Sequence, residues 1–119
     1  MKRTLIIGAS NNPTRYAFKA ANDLMKNGHD IIPFGVKRGE VIGVKMENTW
    51  NPNWDIDTVT MYVNSTIQEQ YIEDIVALKP NRVIFNPGTE NPFFYSILEK
   101  NKIQYEEACT LVLLSIGAY

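Results

Sequence analysis

Short apolar runs recur along this chain, and segments with a helical period stand between most of them. That alternation constrains the fold more than any other feature. A parallel partner strand is reached only by a crossover, so strands alternating with helices predict a parallel sheet covered by helices on both faces. The predicted strands are Arg3 to Gly8, Asp30 to Phe34, Thr58 to Val63, Arg82 to Asn86 and a short one around Ile103 to Glu106. They are continuous apolar runs, as expected where both faces are buried.

The first helix opens near Pro13, a residue suited to the first helical turn. Its stripe of Ala17, Ala20, Ala21, Leu24 and Met25 has the spacing of a single helix face, and its alanines let the helix lie close to the sheet. Gly28 ends it. A second helix follows the third strand, with Ser65 and Gln68 set as a capping box, apolar positions Ile67, Tyr71, Ile72, Ile75 and Leu78, and Lys79-Pro80 as its stop. The third starts at Asn91-Pro92, carries Phe94, Ile97 and Leu98, and stops near Asn101. Leu111 to Ile116 reads as a final buried helix. Gly35 to Trp54 has no helical period and reads as a loop with a short hairpin over Glu40 to Lys45.

With 119 residues the chain fits one domain, residues 1–119, around one core. The expected architecture is α/β: a three-layer fold with a parallel five-stranded sheet. Right-handed crossovers give the strand order 3-2-1-4-5. Ligands of such sheets sit beyond the carboxyl ends of the strands, at the switch point beside the first strand.

Composition narrows the partners. A net charge of −1 gives no general reason to expect nucleic acid or an anionic membrane. No stretch approaches the ~20 apolar residues of a membrane span, and Met1-Lys2-Arg3 leads into no signal-peptide pattern. The single cysteine, Cys109, excludes an internal disulfide and fits a reducing cytoplasm.

The first strand runs into Gly8-Ala9-Ser10-Asn11-Asn12-Pro13 and then a helix. This is a phosphate-binding arrangement: Gly8 allows a tight turn and close approach, and the helix start offers unpaired N–H groups and a positive dipole end. It matches the dinucleotide fingerprint in part, because Ser10 and Pro13 replace the later glycines. Ser10 brings a hydroxyl and its own N–H to a phosphate oxygen. Dinucleotide sites that bind NAD usually place a carboxylate at the end of the second strand. Here Pro33-Phe34-Gly35-Val36 leads instead to Lys37-Arg38. Two cations there suit an extra ribose phosphate, as in coenzyme A or NADP. Arg15 is placed to reach a pyrophosphate at the helix start, with Lys19 beside it, and Tyr16 to pack over the ligand.

Asn86-Pro87-Gly88-Thr89-Glu90-Asn91 follows the fourth strand at the same sheet edge. Asn91 reads as a helix cap. Glu90 is the best-placed carboxylate for acid–base work but has no evident partner, so a surface or capping role is favoured. Cys109 reads as a small buried hydrophobe, because the only histidine, His29, lies at the opposite sheet edge. One Cys and one His give no support for a zinc site. Trp50 and Trp54 cover the sheet edge, form a partner surface or shape a pocket rim; the sequence leaves the three open.

Taken together, these segments resemble the small single-domain CoA-binding proteins, whose fold is like the CoA-binding N-terminal domain of the succinyl-CoA synthetase α-subunit. The matching residues are Gly8-Ala9-Ser10 with Pro13, Arg15 and Tyr16; Lys37-Arg38-Gly39-Glu40 with Gly43-Val44; Asp57-Thr58-Val59; Asn86 to Asn91; and Glu107-Ala108-Cys109. The resemblance implies a Rossmann-like fold that binds coenzyme A or acyl-CoA. It places the diphosphate at Gly8 to Pro13 and nucleotide phosphate contacts near Lys37, and suggests that Val63 and Asn64 line the nucleotide pocket. Arg38, Pro87, Gly88 and Thr89 complete the expected ligand-binding set. The synthetase transfers phosphate through a histidine on a second domain, and this chain has neither counterpart. The expectation is therefore a non-catalytic CoA module acting as sensor, carrier or regulatory subunit. The alternatives are a small NADP- or CoA-dependent enzyme, and an interaction domain with a vestigial nucleotide site; a protein partner is left open.

Overall fold

The computed structural model describes residues 2–119. Twelve elements follow in chain order: β1 (Thr4–Ile7), α1 (Tyr16–Lys26), β2 (Ile31–Phe34), β3 (Glu40–Val41), β4 (Val44–Lys45), β5 (Thr58–Met61), α2 (Ser65–Gln68), α3 (Ile72–Leu78), β6 (Arg82–Phe85), α4 (Pro92–Lys100), β7 (Gln104–Glu107) and α5 (Thr110–Ser115). β2, β1, β5, β6 and β7 form one parallel sheet in that order, and β3 and β4 make the hairpin expected over Glu40 to Lys45.

Successive residues of β1 serve opposite faces. Leu5 and Ile7 join Val59, Met61, Phe85, Ile72, Ile75, Phe94 and Leu98 under α3 and α4. Ile6 joins Ala17, Ala21, Leu24 and Leu114 under α1 and α5. The three-layer α/β architecture is thus as expected, and every residue of β1 and β5 is buried.

Counted as the five long strands, the order is 2-1-3-4-5 rather than 3-2-1-4-5. The third strand, β5, lies beside β1 and not outside β2. The reason is at β2's outer edge, which the chain after the hairpin already fills: Glu47 N donates to Pro33 O at 2.7 Å and Gly35 N to Glu47 O at 3.0 Å. Pro33 has no N–H for a central ladder, and on this outer side none is needed.

The second predicted helix is broken into α2 and α3, and its cap is Asn64, whose side chain accepts from Ile67 N at 3.0 Å. Gln68 is not part of a capping box but is fully buried. The last helix is not buried throughout: Thr110 and Leu114 face inward, while Val112 and Ile116 are 54% and 68% exposed. Among the described residues no helix is long and apolar enough to cross a membrane.

Candidate functional site

The carboxyl edge of the sheet opens at the turn after β1. Gly8 has φ +87°, and a Cβ there would stand 2.7 Å from Val63 Cγ1 and 3.0 Å from the Tyr62 carbonyl. Conformation and space both exclude a side chain. Gly8 N and Ala9 N each donate to Phe34 O at 3.0 Å, which ties the turn to the end of β2. Ser10 Oγ accepts from Asn12 N at 3.1 Å, and Asn12 Oδ1 accepts from Thr14 N at 3.0 Å and Thr14 Oγ1 at 2.8 Å. These local bonds hold residues 12–15 as a turn, so α1 begins at Tyr16 and not near Pro13.

The start of α1 has no side-chain cap and no acidic residue in its first turn. α2 and α4 are capped by Asn64 and Asn91. The N–H groups and positive dipole end of α1 are left for an anion. They border a cleft of about 370 Å³ formed by Gly8, Ala9, Ser10, Asn12, Arg15, Tyr16, Ala17, Val36, Lys37 and Tyr62. Its lining holds two cations and no carboxylate. Among the described residues the one ion pair, Arg3 with Asp30 at 3.7 Å, lies at the far edge of the sheet, so neither cation is neutralised. Tyr62 has its hydroxyl buried beside Thr60 and Thr110, whose own hydroxyls bond at 2.8 Å. Burial pushes its phenol up, and it stays protonated at neutral pH.

A smaller apolar cleft of about 220 Å³ continues from Gly8, Ala9 and Val36 to Phe34, Val63, Ile67 and Tyr71. Trp50 stacks on Tyr71 with centroids 5.8 Å apart, and Trp50 and Trp54 both pack edge-on against Phe34. The two tryptophans therefore cover the end of β2 and back this cleft.

The loop between the clefts, Gly35 to Gly39, is held by the chain that follows it. A Cβ on Gly35 would meet Ala9 O at 2.7 Å. Met46 N donates to Gly39 O at 2.8 Å, and Asn48 Nδ2 donates to both Gly35 O and Lys37 O at 2.8 Å. Lys37 and Arg38 are exposed on it, and Val36 is 94% exposed.

The loop after β6 is bonded to itself and to α2. Thr89 Oγ1 donates to Asn86 O at 2.8 Å, and Glu90 accepts from Gly88 N at 3.0 Å. Gln68 Nε2 donates to Thr89 O at 2.7 Å and Val63 O at 2.9 Å, while its Oε1 accepts from Asn91 Nδ2 at 3.0 Å. Glu90 thus has the loop-capping role favoured from the sequence. Asn91 caps α4 by accepting from Phe94 N.

Of the expected ligand residues, Gly8, Ala9, Ser10, Arg15, Tyr16 and Lys37 line the larger cleft and Val63 the smaller. Pro13, Arg38, Asn64, Pro87, Gly88 and Thr89 line neither. Asn12 lies within the expected Gly8 to Pro13 turn without having been singled out; sequence reasoning missed Ala17, Val36 and Tyr62 in the first cleft, and Ile7, Phe34, Gly35, Val36, Ile67 and Tyr71 in the second. Ile67 and Tyr71, four residues apart, carried a signal that read as a helix face buried in the core. Cys109 is half-buried just before α5, and His29 lies at the opposite edge, where its Nδ1 accepts from Lys2 N at 2.9 Å. Neither cleft is lined by a carboxylate, an imidazole or a thiol.

The chain is similar over its full length to a protein known from a crystal structure of an uncharacterized protein. The identity is 47%, the TM-score is 0.97, and 100% of this chain and 98% of that one are covered. A protein of Thermus thermophilus shares the fold at 18% identity and TM-score 0.87, covering 99% of this chain and 90% of that one. A conserved hypothetical protein of Pyrococcus furiosus does so at 22% and 0.79, covering 94% of this chain and 99% of that one. No curated protein matches. The protein-family model described as a CoA binding domain matches residues 2–115, and the chain belongs to that family.

Proposed function

We propose that this chain binds coenzyme A or acyl-CoA at the carboxyl edge of its sheet and performs no chemistry on it. One observation carries the reading: a carboxylate-free cleft with Arg15 and Lys37 at an uncapped helix start runs into an apolar slot, in a member of a CoA-binding family. The diphosphate sits between Ser10 and the first N–H groups of α1, with Arg15 closing on it. The base enters the apolar slot beside Val63, with Asn64 at its rim. Lys37 takes the 3′-phosphate, with Arg38 adding to the positive field. The acyl-bearing arm runs along the sheet edge toward Pro87, Gly88 and Thr89. Supporting the absence of chemistry, neither cleft offers an acid–base pair or an activated nucleophile. The single half-buried thiol fits a cytoplasmic setting.

A ligand that binds only the folded state raises its stability, by about 2.7 kcal/mol at a hundredfold excess over Kd. The test compares the thermal midpoint with CoA, dephospho-CoA, NAD and NADP. The largest rise is expected with CoA, a smaller one with dephospho-CoA and little with NAD. A rise with NADP alone would replace the reading with a redox one. No rise with CoA, and no heat on titration at high protein concentration, would remove it.

A further inference from the structure

The loop that carries Lys37 has little packing of its own. Val36 is 94% exposed, and Lys37, Arg38 and Gly39 are exposed too. Backbone bonds hold its two ends, at Gly35 N and Gly39 O. Between them one side chain grips it: Asn48 Nδ2 donates to Gly35 O and to Lys37 O, both at 2.8 Å. An amide NH₂ has two hydrogens, and here each has its own carbonyl. Asn48 lines neither cleft. Its contacts go to the backbone that sets where the Lys37 side chain begins.

We infer that Asn48 is a positioning residue that gives the site its preference for a 3′-phosphorylated nucleotide. This rests on the reading that the site binds CoA through Lys37. With the Lys37 carbonyl fixed, the ammonium is aimed at the cleft before any ligand arrives, and binding need not order the loop. Without Asn48, the span from Val36 to Arg38 has no side-chain tether among the described residues. The loss then falls on the group that Lys37 reaches, and a ligand lacking that phosphate is hardly affected.

The experiment measures Kd for CoA and dephospho-CoA by isothermal titration in the wild type, Asn48→Ala, Asn48→Asp and Lys37→Ala. Asn48→Asp keeps the size but replaces both donors with a carboxylate facing two carbonyl oxygens. Either Asn48 variant is expected to weaken CoA about tenfold and dephospho-CoA less than about twofold, since the lost contact is a charge-assisted one. Retained dephospho-CoA binding shows that the site is folded. Lys37→Ala should abolish the preference between the two ligands. If it does so while both Asn48 variants keep the wild-type preference, the inference fails and the Lys37 reading stands. Equal losses for both ligands in the Asn48 variants reduce the residue to a structural role. If Lys37→Ala leaves the preference intact, or the wild type binds neither ligand, the reading beneath fails and the inference with it.

Discussion

Gly8 meets two independent demands. Its φ of +87° disfavours any L side chain, and the first atom of one would press 2.7 Å from Val63 Cγ1. Gly8→Ala is therefore expected to destabilise the fold by about 1–3 kcal/mol, the usual cost of a side chain in a sparsely populated backbone region. It should also weaken CoA, because the turn forms one wall of the cleft. Urea denaturation followed by titration checks both, and an unchanged midpoint would show that the turn relaxes freely. This residue was legible from sequence alone, since glycine ending an apolar strand before a helix has few other uses. Asn12 was not. Its side chain caps the turn at Thr14 and delays the helix by three residues, a competition that Pro13 gave no sign of. Nor was Asn48, a polar residue in a stretch without periodicity whose partners are backbone carbonyls more than ten positions away.

Among the elements, α2 has four residues and connects three parts of the sheet edge. Gln68 binds Val63 O, Thr89 O and Asn91 Nδ2, so it joins the end of β5 to the loop before α4. From sequence it looked like the far half of a capping box with Ser65. The pattern was one residue out of register, because Asn64 is an equally good cap and frees Gln68 to turn inward. Gln68→Leu is expected to cost at least about 2 kcal/mol, since each buried polar group left unpaired costs about 1–3 kcal/mol. Exposed Gln70→Leu is the control in chemical denaturation, and equal midpoints for the two would deny Gln68 this role. The strand order had a legible signal that general topology overrode. Pro33 inside β2 marks an edge strand. Given that weight, it would have kept β5 out of the position beyond β2, where residues 45–47 lie. The hairpin, the capping by Asn91 and the alanine face of α1 were readable because each shows as a pattern close in sequence.

Across the whole molecule, the two edges of the sheet divide the work. The carboxyl edge holds the cleft at the start of α1 and its apolar continuation, and the amino edge closes the fold around Tyr119. Its hydroxyl bonds Thr4, Lys2 Nζ donates to its backbone oxygen at 2.6 Å, and Arg82 lies 4.6 Å from its ring centroid. His29 packs against the same ring at 5.0 Å and accepts from Lys2 N through Nδ1, a bond only the deprotonated nitrogen makes. Burial, and the positive charges around it including Lys2 and Arg82, lower the His29 pKa below its usual 6.5. The unfolded chain then takes up this proton first, so stability is full above about pH 6.5 and declines as the pH falls from there through the lowered native value. At Asp57 burial acts to raise the pKa, but hydrogen bonds from Thr58 and Asn81 and the charges of Lys2 and Arg82 outweigh it, and the net shift is downward from 3.8. Its contribution is present above that value and is lost only in stronger acid. The thermal midpoint should therefore be level at neutral pH and step down twice on acidification. His29→Gln should remove the upper step and Asp57→Asn the lower. Because both groups sit at the edge opposite the proposed CoA site, CoA affinity should not follow the upper step. An upper step that survives in His29→Gln would assign the proton elsewhere, and a CoA affinity that tracks it would mean the two edges are coupled.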